Sequence, residues 1–121
     1  MSHFHAVVWI DHQEAKVFHF NAETSEKLTL HAHHPKHAEK HHTDENFFHA
    51  VTKAFSDAGE VLITGPAQTK TALMKHIARH DAHLLAKIVG VETADHPSDG
   101  QIISHARHYF EKQDHKTAQK V

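Results

Sequence analysis

The sequence contains no cysteine, and only four glycines and three prolines in 121 residues. Without cysteine, a disulfide framework, a cysteine-based zinc ribbon and a thiol nucleophile are all excluded. No apolar run approaches the ~18 residues of a membrane span. The opening MSHFHAVVWIDH has no cationic start leading into an apolar stretch, so no secretory signal is expected. Hydrophobic residues make up 39% of the chain, slightly short of an ordinary domain, so the core will be modest. Three catalytic signatures are missing as well. There is no H-E-x-x-H metal motif, no G-x-S-x-G nucleophile elbow and no Walker P-loop. The expectation is one cytoplasmic domain over residues 1–112, followed by a polar tail over 113–121.

What is abundant is histidine. There are 18, against 13 Lys+Arg and 15 Asp+Glu, and the formal charge of −2 counts every imidazole as neutral. An ordinary imidazole titrates near ~6.5, so half-protonation adds about 9 charges and carries the net to roughly +7. The chain is near neutral in mild alkali and basic in mild acid.

The first thirty residues have strand patterning. HAVVWI (His5–Ile10) is an apolar run, and Asp11 to Glu14 supplies turn chemistry. AKVFHF alternates, placing Ala15, Val17 and His19 opposite Lys16, Phe18 and Phe20. Asn21–Ser25 forms a second polar turn before EKLTLH, with Leu28 and Leu30 on one face. Two tight connections imply an antiparallel meander.

Residues 32–42 (AHHPKHAEKHH) carry no large apolar side chain and are expected to form an exposed loop. Thr43 is placed as a helix cap, with Asp44 and Glu45 in the first turn where the helix dipole favours acids. Phe47, Phe48, Val51, Ala54, Phe55 and Ala58 then recur at helical spacing until Gly59. EVLIT (Glu60–Thr64) has the continuous apolar character of a strand buried on both faces. Pro66 suits the first position of a helix reaching about His80, burying Leu73, Met74 and Ile77. His83–Glu92 (HLLAKIVGVE) is read as the fifth strand. Ser98 to Gln101 has the S-x-x-Q form of a capping box, opening a last helix that buries Ile102, Ile103, Ala106, Tyr109 and Phe110. The order β-β-β-α-β-α-β-α predicts a mixed five-stranded α/β sheet of ribonuclease-H-like arrangement.

Ribonuclease-H chemistry itself needs carboxylates around two metal ions. Asp11 and Asp44 or Glu45 stand at suitable places, but the fourth strand ends in Thr64-Gly65-Pro66 with no acid. Asp11 is better read as a turn residue, and no enzymatic activity is expected. Two other chemistries remain open. His33, His34, His37, His41 and His42, with His31 beside them, supply imidazoles to zinc or nickel. On helices, the pairs His76/His80 and His105/His108 are spaced to face one ion. Separately, two basic groups suit a phosphate backbone. One combines Lys36, His37, Lys40, His41 and His42; the other combines Lys70, Lys75 and Arg79. The start of the second helix, with Lys70 one turn on, adds backbone amides for a phosphate.

Three segments, in order, carry a family resemblance. HAVVWIDHQEAKVFHF (5–20) resembles the opening hairpin of the middle domain of archaeal and eukaryotic class I release factors and Pelota. TGPAQTK (64–70) resembles that domain's strand-to-helix turn, Gly-Pro-Gly-x-x-Lys, with Gly65, Pro66 and Lys70 matching and Ala67 in place of the second glycine. VETADHPSDGQ (91–101) resembles the final strand, loop and glycine before its last helix, with Gly100 at the matching place. The resemblance spans nearly the whole chain and is nearest to bacterial stand-alone translational machinery proteins. It implies a translation-associated, RNA-binding role, with ribosomal RNA or tRNA rather than DNA or a membrane as partner. Release factors carry a Gly-Gly-Gln after the third strand for peptidyl-tRNA hydrolysis, often preceded by Lys-His. Lys36-His37 corresponds, but Ala38-Glu39-Lys40-His41-His42 follows, so the resemblance does not carry hydrolysis over. No cofactor is required by this reading; zinc or nickel belongs to the histidine alternative.

Overall fold

A computed structural model describes residues 4–32 and 45–118, with side chains described as far as Gln113. The expected cap at Thr43, with Asp44, and all of the 33–44 segment lie outside the described residues. The elements are β1 (His5–Ile10), β2 (Glu14–Phe20), β3 (Ser25–His31), α1 (Glu45–Phe55), β4 (Glu60–Gly65), α2 (Thr69–His80), β5 (Ile88–Thr93) and α3 (Asp99–Ala118). A six-residue 3-10 helix, Ala82–Lys87, joins α2 to β5.

The strands form one sheet in the order β3-β2-β1-β4-β5. β1, β2 and β3 pair antiparallel, while β4 runs parallel to β1 and β5 parallel to β4. This is the mixed, ribonuclease-H-like sheet that the element order implies. The two tight turns close as their side chains dictate. Asp11 Oδ1 accepts the amides of Gln13 and Glu14, both at 2.8 Å, and Asn21 Oδ1 accepts those of Glu23 and Thr24. Both are Asx turns, in which a short side chain substitutes for a backbone acceptor. Asp11 is therefore engaged by its own turn.

Strand alternation divides the core in two. Ala6, Val8, Ile10, Ala15, Val17, Val61 and Ile63 face α1 and α2 and meet Phe48, Val51, Phe55, Leu73 and Ile77. On the reverse face, Val7, Trp9, Phe18, Phe20 and Leu62 meet Ile102, Ala106 and Phe110 of α3. β1 and β4 have helices on both sides, which explains their near-continuous apolar runs.

Four boundaries differ from the sequence expectation by three residues or more. Helix α1 ends at Phe55, short of Gly59, and α3 runs on to Ala118, into the expected polar tail. The fifth strand begins at Ile88 rather than His83, because Leu84 N bonds to Asp81 O and the chain coils through Lys87 before it reaches β4. Helix α2 begins at Thr69 rather than at Pro66. Gly65 and Ala67 both have positive φ, 151° and 50°, which no helix start tolerates. At α3 the capping box is present as expected: Gln101 N bonds Ser98 Oγ, and Gln101 Oε1 accepts Ser98 N.

Asp99, the first residue of α3, ties that helix to the sheet. Its carboxylate accepts Lys27 Nζ of β3 and lies 3.4 Å from Lys16 Nζ of β2. The hydrogen bond from Lys27 holds the Asp99 carboxyl below its ordinary range, helped by Lys16 and opposed by partial burial. A carboxyl lowered by folding stabilises the native state above its unfolded value, near ~3.9, and this contribution disappears as pH falls through the folded value. Asp99→Asn is expected to melt below the parent at about pH 7, with the gap closing at about pH 3. Thermal melts of both chains at the two pH values check it; a gap that persists in acid would exclude the ion pair as its source.

Candidate functional site

The turn between β4 and α2 is built by close approach. Gly65 lies against the end of β1, and Ala67 occupies the left-handed region, a conformation costing an L-residue about 1–2 kcal/mol. Ala67 stands at the position where the resembled turn has glycine. The Ala67 carbonyl is turned toward Lys70, whose ammonium donates to it, and Lys70 is buried at 8% exposure. The turn's lysine thus closes its own loop instead of extending into solvent. Gln68 occupies the cap position of α2 without a side-chain hydrogen bond, and the first turn holds no acid.

Lys75 and Arg79 are both exposed, one helical turn apart on α2. Side chains at this spacing share a face. Of the residues read from the sequence as phosphate contacts, these two are presented outward. Lys36, His37, Lys40, His41 and His42 lie outside the described residues, as do the proposed ligands His33 and His34.

Beside that stripe, the pair His76/His80 meets α1. Glu45 Oε1 lies 3.8 Å from His80 Nε2, and the His76 ring centroid is 4.6 Å from that of His80 and 6.1 Å from that of His49. His76 is buried, and its Nε2 has no hydrogen-bond partner. Burial lowers its pKa below the ordinary imidazole value, with His80 and His49 adding to the effect and Glu45 and Asp81 opposing it. The helical spacing of His76 and His80 was legible in the sequence; the approach of Glu45 and His49 was not. The second pair divides. His105 Nε2 bonds Glu92 Oε1 at 2.6 Å, while His108 lines a separate depression with Ser25 and Arg107.

The His105–Glu92 pair borders a cavity of about 700 Å³ between the sheet and α3, lined also by Val7, Thr64, Gln101 and Ile102. It sits at the carboxyl ends of β4 and β5, the usual ligand end of a parallel sheet. Thr64 Oγ1 is engaged, donating to Val8 O at 2.9 Å, and Trp9 Nε1 fixes the rim by donating to Asp95 O. No spacing rule in the sequence points to this cavity, because its walls come from four separated elements.

The fold is similar to that of domains in solved structures of translation termination-like factors, and its second helix carries Lys75 and Arg79 outward. The archaeal translation termination factor aRF1 is similar, with a TM-score of 0.62 and 13% identity over 96% of this chain and 41% of the other. Archaeoglobus fulgidus Pelota gives 0.65 and 11% over 86% and 30%. S. cerevisiae Dom34, a translation termination-like factor involved in RNA quality control pathways and interacting with Hbs1, gives 0.60 and 15% over 97% and 36%. The chain therefore spans roughly a third of those proteins, as one of their domains would. No family model and no curated protein matches it. The resemblance read from the three sequence segments is thus borne out in the fold.

Proposed function

We propose that this chain is a non-enzymatic, translation-associated module that binds ribosomal RNA or tRNA through phosphate contacts. The observation that carries the reading is the fold shared with Pelota, Dom34 and aRF1 along nearly the whole chain. Exposed Lys75 and Arg79 support it, being one helical turn apart on a solvent-facing surface. Lys36, Lys40 and the histidines of residues 32–42 are the second contact group, and Lys70 shapes the turn beneath α2. No two glycines are adjacent in the sequence, so it holds no Gly-Gly-Gln, and peptidyl-tRNA hydrolysis is not part of the proposal.

Filter binding to tRNA and sedimentation with ribosomes across a salt series test it. Affinity is expected to fall steeply between about 50 and 200 mM salt, because neutralised phosphates release counterions. Removing two contacts with Lys75→Gln and Arg79→Gln should flatten the log–log salt slope by about 1.4–1.8. Lowering pH from about 7.5 to 5.5 should raise affinity as imidazoles gain charge, and replacing His33, His34, His37, His41 and His42 with Gln should reduce that rise. Binding that ignores salt, or that the α2 double variant leaves unchanged, removes the proposed interface.

A further inference from the structure

Beyond RNA contact, the packing of α1 on α2 brings together side chains that neither the fold likeness nor the basic stripe explains. Glu45 and His49 are one turn apart on α1, and His76 and His80 are one turn apart on α2. Asp81 follows immediately. Single ligand atoms of Glu45, His76 and His80 lie within 4.8 Å of one another, and so do those of His49, His76 and Asp81. His76 belongs to both sets. It is 7% exposed, with its Nε2 buried and lacking a hydrogen-bond partner. A buried polar atom of this kind costs free energy unless something satisfies it.

We propose that Glu45, His76 and His80 form a binding site for a zinc-class divalent cation, with the fourth position open to water. Two imidazoles and a carboxylate are a donor set that zinc accepts in tetrahedral geometry. Metal–ligand bonds of ~2.0–2.2 Å place tetrahedral ligand atoms roughly 3.4 Å apart. The present spacing must therefore contract by an ångström or so. The side chains that would move are Glu45 and His80, 58% and 41% exposed. His76, held in the core against Phe48, is the fixed member. Its neutral form, which burial favours, is the form that ligates. An ion here would join the first turns of α1 to the last turns of α2, so binding should be read in stability as well as stoichiometry.

The test uses the full chain with His33, His34, His37, His41 and His42 replaced by Gln, which removes the competing imidazoles of that segment. Calorimetric titration with zinc is expected to show one ion per chain and a melting temperature that rises with zinc. Cobalt should give the visible bands of a tetrahedral site. His80→Gln and Glu45→Gln, both at exposed positions, should each weaken binding about tenfold or more, since even outer-shell losses at metal sites cost ~10–100-fold. His76→Gln should abolish it; if that variant does not fold, the two exposed-site variants decide. Zinc binding lost entirely with the five replacements would assign the metal to that segment and overturn the proposal. So would stoichiometric binding indifferent to His80→Gln and Glu45→Gln, or only weak, non-integral binding.

Discussion

Gly65→Ala is expected to destabilise the protein by about 3 kcal/mol or more, through strain at positive φ together with forced overlap in a packed interior. Gly65 ends β4 with φ 151°, and a Cβ there would stand 2.1 Å from the Ile10 carbonyl oxygen and 3.3 Å from the Ile10 nitrogen. The obstacle is backbone, so no rotamer change relieves it. Nor can β1 withdraw, because it is paired with β2 on one side and β4 on the other. Gly65 is itself held from the far side, where its carbonyl accepts the Ala94 amide at 3.1 Å. Relaxation must shift the turn into α2, so Lys70 and the Lys75–Arg79 stripe should move with it. Urea denaturation should show a lowered midpoint, and any folded fraction should bind RNA more weakly. Gly100→Ala is the control: nothing lies within 4 Å of a Cβ at that position, and its stability should match the parent. Equal losses at both positions would show that the effect is general to glycine and not due to the β1–β4 contact.

Phe110→Ala should cost about 3–5 kcal/mol, the usual range for a buried phenylalanine reduced to alanine. Against a typical total of ~5–15 kcal/mol this is a large fraction. Phe110 is 2% exposed, and its ring lies 4.4 Å from His5, 5.7 Å from Phe20 and 5.6 Å from Tyr109, centroid to centroid. It is the last of the three buried residues, with Ile102 and Ala106, that α3 sets against the sheet. No second helix covers that face among the described residues, so the vacated space has few neighbours able to collapse into it. Calorimetric melting should show a drop of about 10–20 °C. Trp9, the only tryptophan, packs in the same cluster, so its emission reports directly whether α3 has loosened. An unchanged melt with unchanged Trp9 emission would show that Phe110 is not what holds α3 to the sheet.

Much of this architecture is determined within a few residues of chain. Asp11 and Asn21 close their turns on amides two and three positions ahead, and Ser98 and Gln101 cap α3 reciprocally across the same short span. The alternation of β2, with Ala15 and Val17 on one face and Phe18 and Phe20 on the other, sorts those residues into the two cores. The misplaced boundaries are also local, yet decided from outside. Residues 83–87 are apolar enough to be read as strand, but β4 offers pairing to β5 only from Ile88. Pro66 suits a helix start by type, but the backbone at Gly65 and Ala67 must first turn around the end of β1.

The candidate sites belong almost wholly to tertiary structure. Helical spacing marks His76 with His80, and Lys75 with Arg79, as pairs sharing a face. It does not say that Lys70 turns inward to the Ala67 carbonyl, nor that Glu45 and His49 of α1 stand opposite the histidines of α2. The cavity beside Glu92 and His105 is similarly silent in the sequence, its walls drawn from β1, β4, β5 and α3. The physical reason is range. A turn, a cap or an amphipathic stripe is stabilised by groups a few bonds away, so residue order alone determines it. Which polar groups meet across two helices depends on how their apolar faces settle on the sheet, and that is decided only when the core packs.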